Sequence, residues 1–423
     1  MNRTLYSIFF YLALPVILVR LFLRGRKAPA YRRRIGERFA LGLPKLRQGG
    51  IWLHAVSVGE SIAAAPVVRA LQQQYPDLPI TVTCMTPTGS ERIRSMFGDS
   101  VQHCYLPYDL PCRARRFLGL LRPQLGIVME TELWPNHIDQ CARMGIPVVL
   151  ANARLSERSA RGYARFPKLT VPMLAQLSGI AVQTPAEAER FLQLGARSEA
   201  VQVTGSIKFD LQVDPALVEQ ANGLREKWQA TQRPVWIAGS THEGEDVQIL
   251  QAHRQLLQQF PDALLILVPR HPERFDSVYQ LCVDQGMPTV RRSTGELVTD
   301  KHAVLLGDTM GELLLLYALA DVALVGGSLV EHGGHNVLEP AALGKPVLSG
   351  PHVFNFLDIV GQMREAGALQ EVTDAASLAA AVQRLWTDPQ AYAEIQSAGR
   401  QVLKANQGAL QRLLDMLASR LQG

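Results

Sequence analysis

The sequence predicts an α/β protein built as two doubly wound lobes, each a parallel sheet covered on both faces by helices. Three observations carry that prediction. Short, continuously apolar runs recur with helix-patterned stretches between them, as in a parallel sheet buried on both sides. The alternation stops in a polar stretch around Asp214 to Arg233 and then restarts, giving two sets of elements. The 423 residues exceed one ordinary domain and suit two of about 200.

An apolar run from Leu5 to Val19 comes first and continues past Arg20 through Leu21, Phe22 and Leu23. It is short for a straight membrane span, which needs roughly 20 residues, but Arg20 can reach the headgroups. Only Arg3 precedes it and no small-x-small cleavage site follows, so an anchor is expected in place of a removed leader. Arg24, Arg26, Lys27, Arg32, Arg33, Arg34 and Arg38 come next, and the positive-inside rule then puts the rest of the chain in the cytoplasm. A buried N-terminal helix is the competing reading, against which the run from Leu5 to Val19 shows no polar face. First-lobe strands are expected at 50–55, 80–84, 125–130, 147–152, 179–183 and 201–205. Second-lobe strands are expected at 234–239, 263–268, 303–307, 322–326 and 346–350, with helix from Ala375 onward. The parts are thus an anchor over 1–25, a first lobe over 26–212 and a second over 213–423, the last helix being free to pack back on the first lobe.

The net charge of +5 is small for this length, and no nucleic-acid partner is expected. The charge is clustered, however, first behind the apolar run and again at Arg154, Arg158, Arg161, Arg165 and Lys168. Such clusters suit a phosphate-rich partner or a membrane surface, or else a solvated face. The five cysteines are odd in number and form no CxxC pair, which argues against a disulfide framework or a zinc site.

Ligands of open α/β sheets sit beyond the carboxyl ends of strands, so motifs directly after strands carry most weight. His54-Ala-Val-Ser-Val-Gly-Glu60 follows a strand and opens a helix. Gly59 permits a tight turn, and the free N–H groups of the new helix can hold an anion. A carboxylate at Glu60 could take a proton from an attacking hydroxyl. The Ser57-x-x-Glu60 spacing also reads as a plain capping arrangement, with Glu60 bonded back to the backbone. Glu130-Thr-Glu-Leu-Trp-Pro-Asn136 again follows a strand, with Glu130 as its first polar residue and Trp134 and Pro135 as possible pocket walls. An ordinary strand-to-helix turn with Pro135 near the first helical position is the alternative. Gly205-Ser-Ile-Lys-Phe-Asp210 closes the first lobe. Lys208 there either stabilises negative charge on a leaving phosphate or a sugar carboxylate, or is a linker lysine.

The second lobe holds the longest motif, Gly326-Gly-Ser-Leu-Val-Glu-His-Gly-Gly-His-Asn-Val-Leu-Glu-Pro-Ala341. A strand ends, a glycine-rich loop follows, and a helix is expected from about Asn336. Gly333 and Gly334 would let a phosphate approach backbone N–H groups, and Glu339 could accept bonds from ribose hydroxyls. His332 and His335 could pair on a metal, but the loop offers no third ligand and no metal site is expected. Ser240 and Thr241 follow the lobe's first strand, and Pro269 and Arg270 follow the next. Arg270 could bind phosphate bidentately. Thr309-Met310-Gly311-Glu312 starts a further helix where backbone groups could read a base. No Asp-x-Asp is present to hold a magnesium ion on a phosphate, so these groups would have to neutralise the leaving group themselves.

With these runs assembled, the chain resembles the 3-deoxy-D-manno-octulosonic acid (Kdo) transferases of lipopolysaccharide synthesis. HAVSVGE at 54–60, ETELWPN at 130–136, NARLSERS at 152–159 and GSIKFD at 205–210 carry the resemblance, with PRHPER at 269–274 and GGHNVLEPAALGKPV at 333–347. It extends over nearly the whole chain. It implies a GT-B fold of two Rossmann-like lobes facing across a cleft. The donor would be CMP-Kdo, the acceptor a lipid A precursor (lipid IVA), and the transfer inverting, with no cofactor. By resemblance Glu60 is the general base, and Glu130 and Lys208 stabilise the transition state. Ser240, Thr241, Pro269, Arg270, Met310, Gly311, Glu312, Asn336, Val337, Leu338 and Glu339 would bind the nucleotide. The enzyme would sit on the cytoplasmic side of the inner membrane. The competing readings are another GT-B enzyme, such as a UDP-sugar epimerase or a lipid-linked GlcNAc transferase, and a non-catalytic membrane scaffold. A scaffold would have lost the carboxylates or the glycine-rich loop, and both are present.

Overall fold

The computed structural model describes residues 1–211, 213–228 and 233–421. The chain forms two compact units, one of Met1–Asp210 with Gln407–Gly423 and one of Leu211–Asn406. The expected boundary falls on Gln212, and part of the polar stretch before Arg233 falls on residues 229–232; both lie outside the described residues.

The first unit holds seven parallel strands: β1 Ile51–His54, β2 Ile80–Cys84, β3 Gln102–Tyr105, β4 Leu125–Met129, β5 Val148–Ala153, β6 Gly179–Val182 and β7 Val201–Val203. Their order is β3-β2-β1-β4-β5-β6-β7, so the winding reverses between β1 and β4. Successive side chains of a strand face opposite ways, and here both faces are buried. Ile51 and Leu53 join the core under helix α2 (Val58–Gln74), while Trp52 packs edge-on against Phe117 on the other face.

The second unit repeats the plan with β8 Val235–Thr241, β9 Leu264–Pro269, β10 Thr289–Arg291, β11 Val304–Leu306, β12 Val322–Val325, β13 Val347–Ser349 and β14 Leu369–Glu371. The order β10-β11-β9-β8-β12-β13-β14 reverses between β8 and β12. Strands β3, β10 and β14, absent from the sequence-based expectation, each lie at an edge of a sheet.

Two basic residues behind the first helix belong to the packing of the first unit and not to a charged membrane face. Arg34 grips Glu37 in a bidentate pair at 2.6 and 2.7 Å and donates to Ser90. Arg38 is buried over the Tyr105 ring. The C-terminal helix, Ala409–Leu421, packs into the first unit, and the Asp210 carboxylate fixes its start by accepting from the Gly408 and Leu410 N–H groups. Leu413, fully buried there, should therefore report on the first unit although it lies at the end of the chain. Leu413→Ala is expected to lower stability by about 2–5 kcal/mol. Hydrogen exchange should show faster opening of β1, β4 and β5 in that variant than of β8 and β9. Equal acceleration in both sheets would contradict this.

Candidate functional site

The carboxyl ends of β1 and β4 flank the crevice at which the first sheet reverses, the place where such sheets bind ligands. Glu60 stands in the first turn of α2, which Ser57 caps. Its carboxylate accepts from the Val56 N–H at 2.8 Å and the Ser57 hydroxyl at 3.0 Å. The capping arrangement is therefore formed, with the Val56 N–H as donor in place of the cap residue's own. Burial pushes the Glu60 carboxyl up to about 7; Glu130 and Glu132 add to this and the two hydrogen bonds oppose it. A carboxyl held near neutrality meets the requirement for a general base.

Glu130 follows β4 directly and has φ +55°, a left-handed conformation rare outside glycine. Asn152 (φ +51°) and Ser240 (φ +60°) share it, each at a register shift, in β5 and β8 respectively. Strained backbone and bulges both concentrate where side chains must be re-aimed at strand ends. Asn152 is buried, and its side-chain oxygen accepts from the Ile207 N–H at 3.2 Å. That bond holds the single-turn helix Ile207–Phe209, and with it Lys208, to the end of β5. Glu60, Glu130 and Lys208 are thus all placed at the carboxyl edge of one sheet.

Behind Glu130 the chain enters the helix Pro135–Arg143, whose cap position, Trp134, has no side-chain oxygen to offer. The fully buried Asp109 substitutes. It accepts from the N–H groups of Asn136 (3.0 Å) and His137 (2.9 Å) and from His137 Nδ1 (2.7 Å). Beside this turn lies a cavity of about 470 Å3, walled by Tyr6, Trp134, Pro135, Tyr163, Phe166 and Met173 among others. Arg158 and Arg161 are exposed on the helix Glu157–Ala164 that supplies Tyr163, and Arg165 and Lys168 are exposed just after it.

In the second unit the residues expected at the nucleotide site cluster at the ends of β8, β9 and β12, with Met310, Gly311 and Glu312 after β11. Met310 and Gly311 are exposed. Glu312 pairs with Arg292 at 2.8 Å and accepts from Thr309. Thr241 is fully buried and its hydroxyl donates to Asp246, so its part is to fix the strand end; its carbonyl accepts from the Arg270 N–H. Arg270 is half-buried and close enough to Glu339 to oppose the rise that burial imposes on that carboxyl. Asn336 donates to Glu339 at 3.2 Å. Val337 and Leu338 are buried, leaving only their backbone to meet a ligand. The helix runs from Leu338 to Ala342, starting two residues after the expected Asn336, whose side-chain oxygen accepts from the Leu338 N–H. Gly333 and Gly334 have φ of +91° and +74°, which only glycine adopts freely.

Two features here were not expected from the sequence: the role of Glu245 and the pairing of His335 with His242. Glu245, fully buried, accepts from four backbone N–H groups: His242, Gly327, Ser328 and Leu329, at 2.7–3.0 Å. It ties the exit of β8 to the exit of β12. His242 and His335 face each other Nε2 to Nε2 at 2.9 Å, and His332 stacks on His242 with ring centroids 4.1 Å apart. Burial, reinforced by neighbouring histidines and by Arg270, pushes His242 down to about 4 and His335 down to about 3. The paired histidines are joined by no third ligand: among the described residues no group of three or more His, Cys, Asp or Glu is placed to hold a metal ion.

A family model described as 3-deoxy-D-manno-octulosonic-acid transferase matches residues 33–211, and one described as glycosyl transferases group 1 matches residues 236–402. The 3-deoxy-D-manno-octulosonic acid transferase of Haemophilus influenzae is 47% identical, over 100% of this chain and 99% of its own. That of Bordetella pertussis is 37% identical over 99% of each. Among solved structures, the UDP-GlcNAc 2-epimerase of Neisseria meningitidis superposes with a TM-score of 0.58 at 16% identity, covering 88% of this chain and 100% of that one. This last likeness speaks to the fold alone, which is of the GT-B type.

The Glu60 carboxyl is raised from 4.5 to about 7, so between those values the folded protein binds more protons than the unfolded chain. Its neutral form is favoured by burial, and that advantage is lost as the pH rises through 7. Glu60→Gln removes the titration. Relative to this variant, the wild type should lose on the order of 3 kcal/mol of stability between pH 4 and pH 8. Denaturant titrations at the two pH values measure the difference; a constant difference would mean that the carboxyl is not perturbed.

Proposed function

The chain belongs to the Kdo transferase family and is a glycosyltransferase that transfers Kdo, and from that premise we propose that its donor is CMP-Kdo and its acceptor the lipid A precursor lipid IVA. Glu60 takes the proton from the attacking acceptor hydroxyl, and the anomeric configuration inverts because a base on one face drives attack opposite the leaving group. The observation that carries this reading is the Glu60 carboxyl itself: buried at the β1/β4 switch point, held by two hydrogen bonds, and poised near 7. Glu130 and Lys208, on the same sheet edge, stabilise the charge that develops in the transition state.

The second unit holds the cytidine nucleotide. Arg270 and the backbone around Gly333 and Gly334 meet the phosphate, and Glu339 meets the ribose. Ser240, Pro269, Met310, Gly311 and Glu312 border the base and sugar. Leaving-group charge is met by these groups without a metal ion or a cofactor. In the first unit the cavity beside Trp134 has the size of a small-molecule site, which runs to about 300–1,000 Å3. Its lining is largely apolar with Glu132 among it, and Arg158, Arg161, Arg165 and Lys168 are exposed on the segment that supplies Tyr163 and Phe166, so it suits an acyl chain of the acceptor with its phosphate toward these residues.

Helix α1 (Arg3–Lys27) is long and apolar enough to engage a membrane. Arg20, Arg24 and Arg26 near its end suit the anionic cytoplasmic leaflet of the inner membrane. The side chain of Lys27 lies outside the described residues.

Two outcomes test the chemistry. Glu60→Gln should lower transfer to lipid IVA by roughly 10²–10⁴-fold with little change in CMP affinity, and the wild-type rate should fall on the acid side of pH 7 as the base is protonated. Turnover within a few-fold of wild type would remove Glu60 from that role. Calorimetric titration should show CMP binding in excess EDTA, weaker UMP binding, and weaker CMP binding in Glu339→Ala. Binding that vanishes with EDTA and returns with Mg²⁺, or a preference for UMP, would redirect the assignment to a metal-dependent or uracil-donor enzyme.

A further inference from the structure

Helix α1 meets the first unit at both of its ends. At its start Arg3 pairs with Asp139 at 2.9 Å and donates to the Asn136 side chain at 3.3 Å. Ser7 donates to the same Asn136 oxygen at 3.1 Å, and Asn136 is fully buried. One turn further on, Tyr11 reaches Cys112 at 3.2 Å. At its end, Arg32 lies over the Phe22 ring at 4.0 Å and donates to the Phe22 carbonyl. Arg34 and Arg38 then anchor the following segment to Ser90 and to the Met85 carbonyl.

Between these points one stripe of the helix is covered and the other is open. Tyr6, Phe10, Leu14, Ile17 and Leu21, spaced three or four apart, are half-buried or buried. Ile8, Phe9, Leu12, Val16, Val19 and Phe22 are more than half exposed. A helix that crossed the bilayer would carry Arg3 and its own C-terminal end to opposite sides of roughly 30 Å of hydrocarbon. Both ends are instead held by one polar unit. The helix Pro111–Leu121, which Tyr11 touches near the middle of α1, carries Arg113, Arg115 and Arg116. Three arginines at mid-bilayer depth are not tolerated without partners there.

Granting the membrane attachment proposed above, we infer that α1 lies in the plane of the membrane, with one stripe on the first unit and the other sunk in a single lipid leaflet. The occupant of the open face is lipid. An apolar helix face of this length, with arginines toward one end, has the character of an interfacial anchor. Tyr6 lines the cavity beside Trp134, so that cavity would lie close to the lipid.

The test uses the full-length protein in right-side-out and inside-out membrane vesicles. Cys112, the exposed cysteine, is replaced (Cys112→Ala), the other four being buried. Into this background go Asn2→Cys, ahead of the helix, or Ser198→Cys, on the exposed surface of the first unit. A membrane-impermeant maleimide should label both thiols in the same vesicle orientation and spare both in the other. Labelling of Asn2→Cys from the opposite side to Ser198→Cys overturns the inference. If Asn2→Cys reacts from neither side, the pair Arg3→Cys with Asp139→Cys decides. Intramolecular coupling by a short bis-maleimide in intact membranes supports the in-plane helix, and failure to couple overturns it. Recovery of the protein in the soluble fraction, as a monomer or as a dimer with the open faces paired, is a different result. It removes the membrane attachment itself and leaves the transferase chemistry untouched.

Discussion

Each unit is organised by a fully buried carboxylate whose acceptor capacity is taken up by backbone N–H groups. In the first unit Asp109 caps the helix that follows Glu130. In the second, Glu245 gathers four N–H groups from the exits of β8 and β12. Loops at a switch point have left the sheet ladder and cannot satisfy their own polar groups. Without the carboxylate, each buried N–H would be stranded at about 1–3 kcal/mol. The start of the glycine-rich loop and the Asn136 end of the ETELWPN turn are therefore held by the fold itself. Asp109 reaches further still, because Asn136, which it holds through backbone and side chain, also receives Arg3 and Ser7 of the first helix.

The two readings of Glu60 open at the sequence level, helix cap and base, turn out to be compatible. A cap normally stabilises the charged carboxylate and lowers its pKa. Here burial and two neighbouring carboxyl groups outweigh the two hydrogen bonds, leaving a group that is fixed in direction and still able to accept a proton near neutrality. In the proposed role of base, the cap would supply aim and the burial basicity. Neither feature would serve alone: an exposed cap would titrate as an ordinary glutamate, and a buried uncapped one would be free to turn away.

The central strands were legible in the sequence because both of their faces are buried, which makes them continuous apolar runs. β3, β10 and β14 read Gln-His-Cys-Tyr, Thr-Val-Arg and Leu-Gln-Glu, mixed patterns that suit a sheet edge and resemble loop. The motif residues were found through their position after strands. Asp109 and Glu245 were not, since a carboxylate bonded to a backbone 27 or 82 residues away leaves no local spacing to read. Arg34 and Arg38 looked like part of a basic surface for a related reason: their partners Glu37 and Tyr105 turn charge into packing only once the chain is folded. The covered stripe of the first helix was equally hidden, because Tyr6, Phe10 and Leu14 are as apolar as the residues on its open side.

The first unit takes its last helix from the far end of the chain, with Leu211–Asn406 inserted between. During synthesis its sheet and first helix emerge first, yet Leu413 and Leu417 cannot reach their places until translation is nearly finished. At about 5–20 residues per second, the intervening segment delays them by roughly 10–40 s. Through that interval the nascent chain carries an exposed greasy helix and a core with a missing wall. Lipid engagement of the first helix while the ribosome is still working would keep this half-built state out of solution, and the second unit could complete itself before the first is sealed.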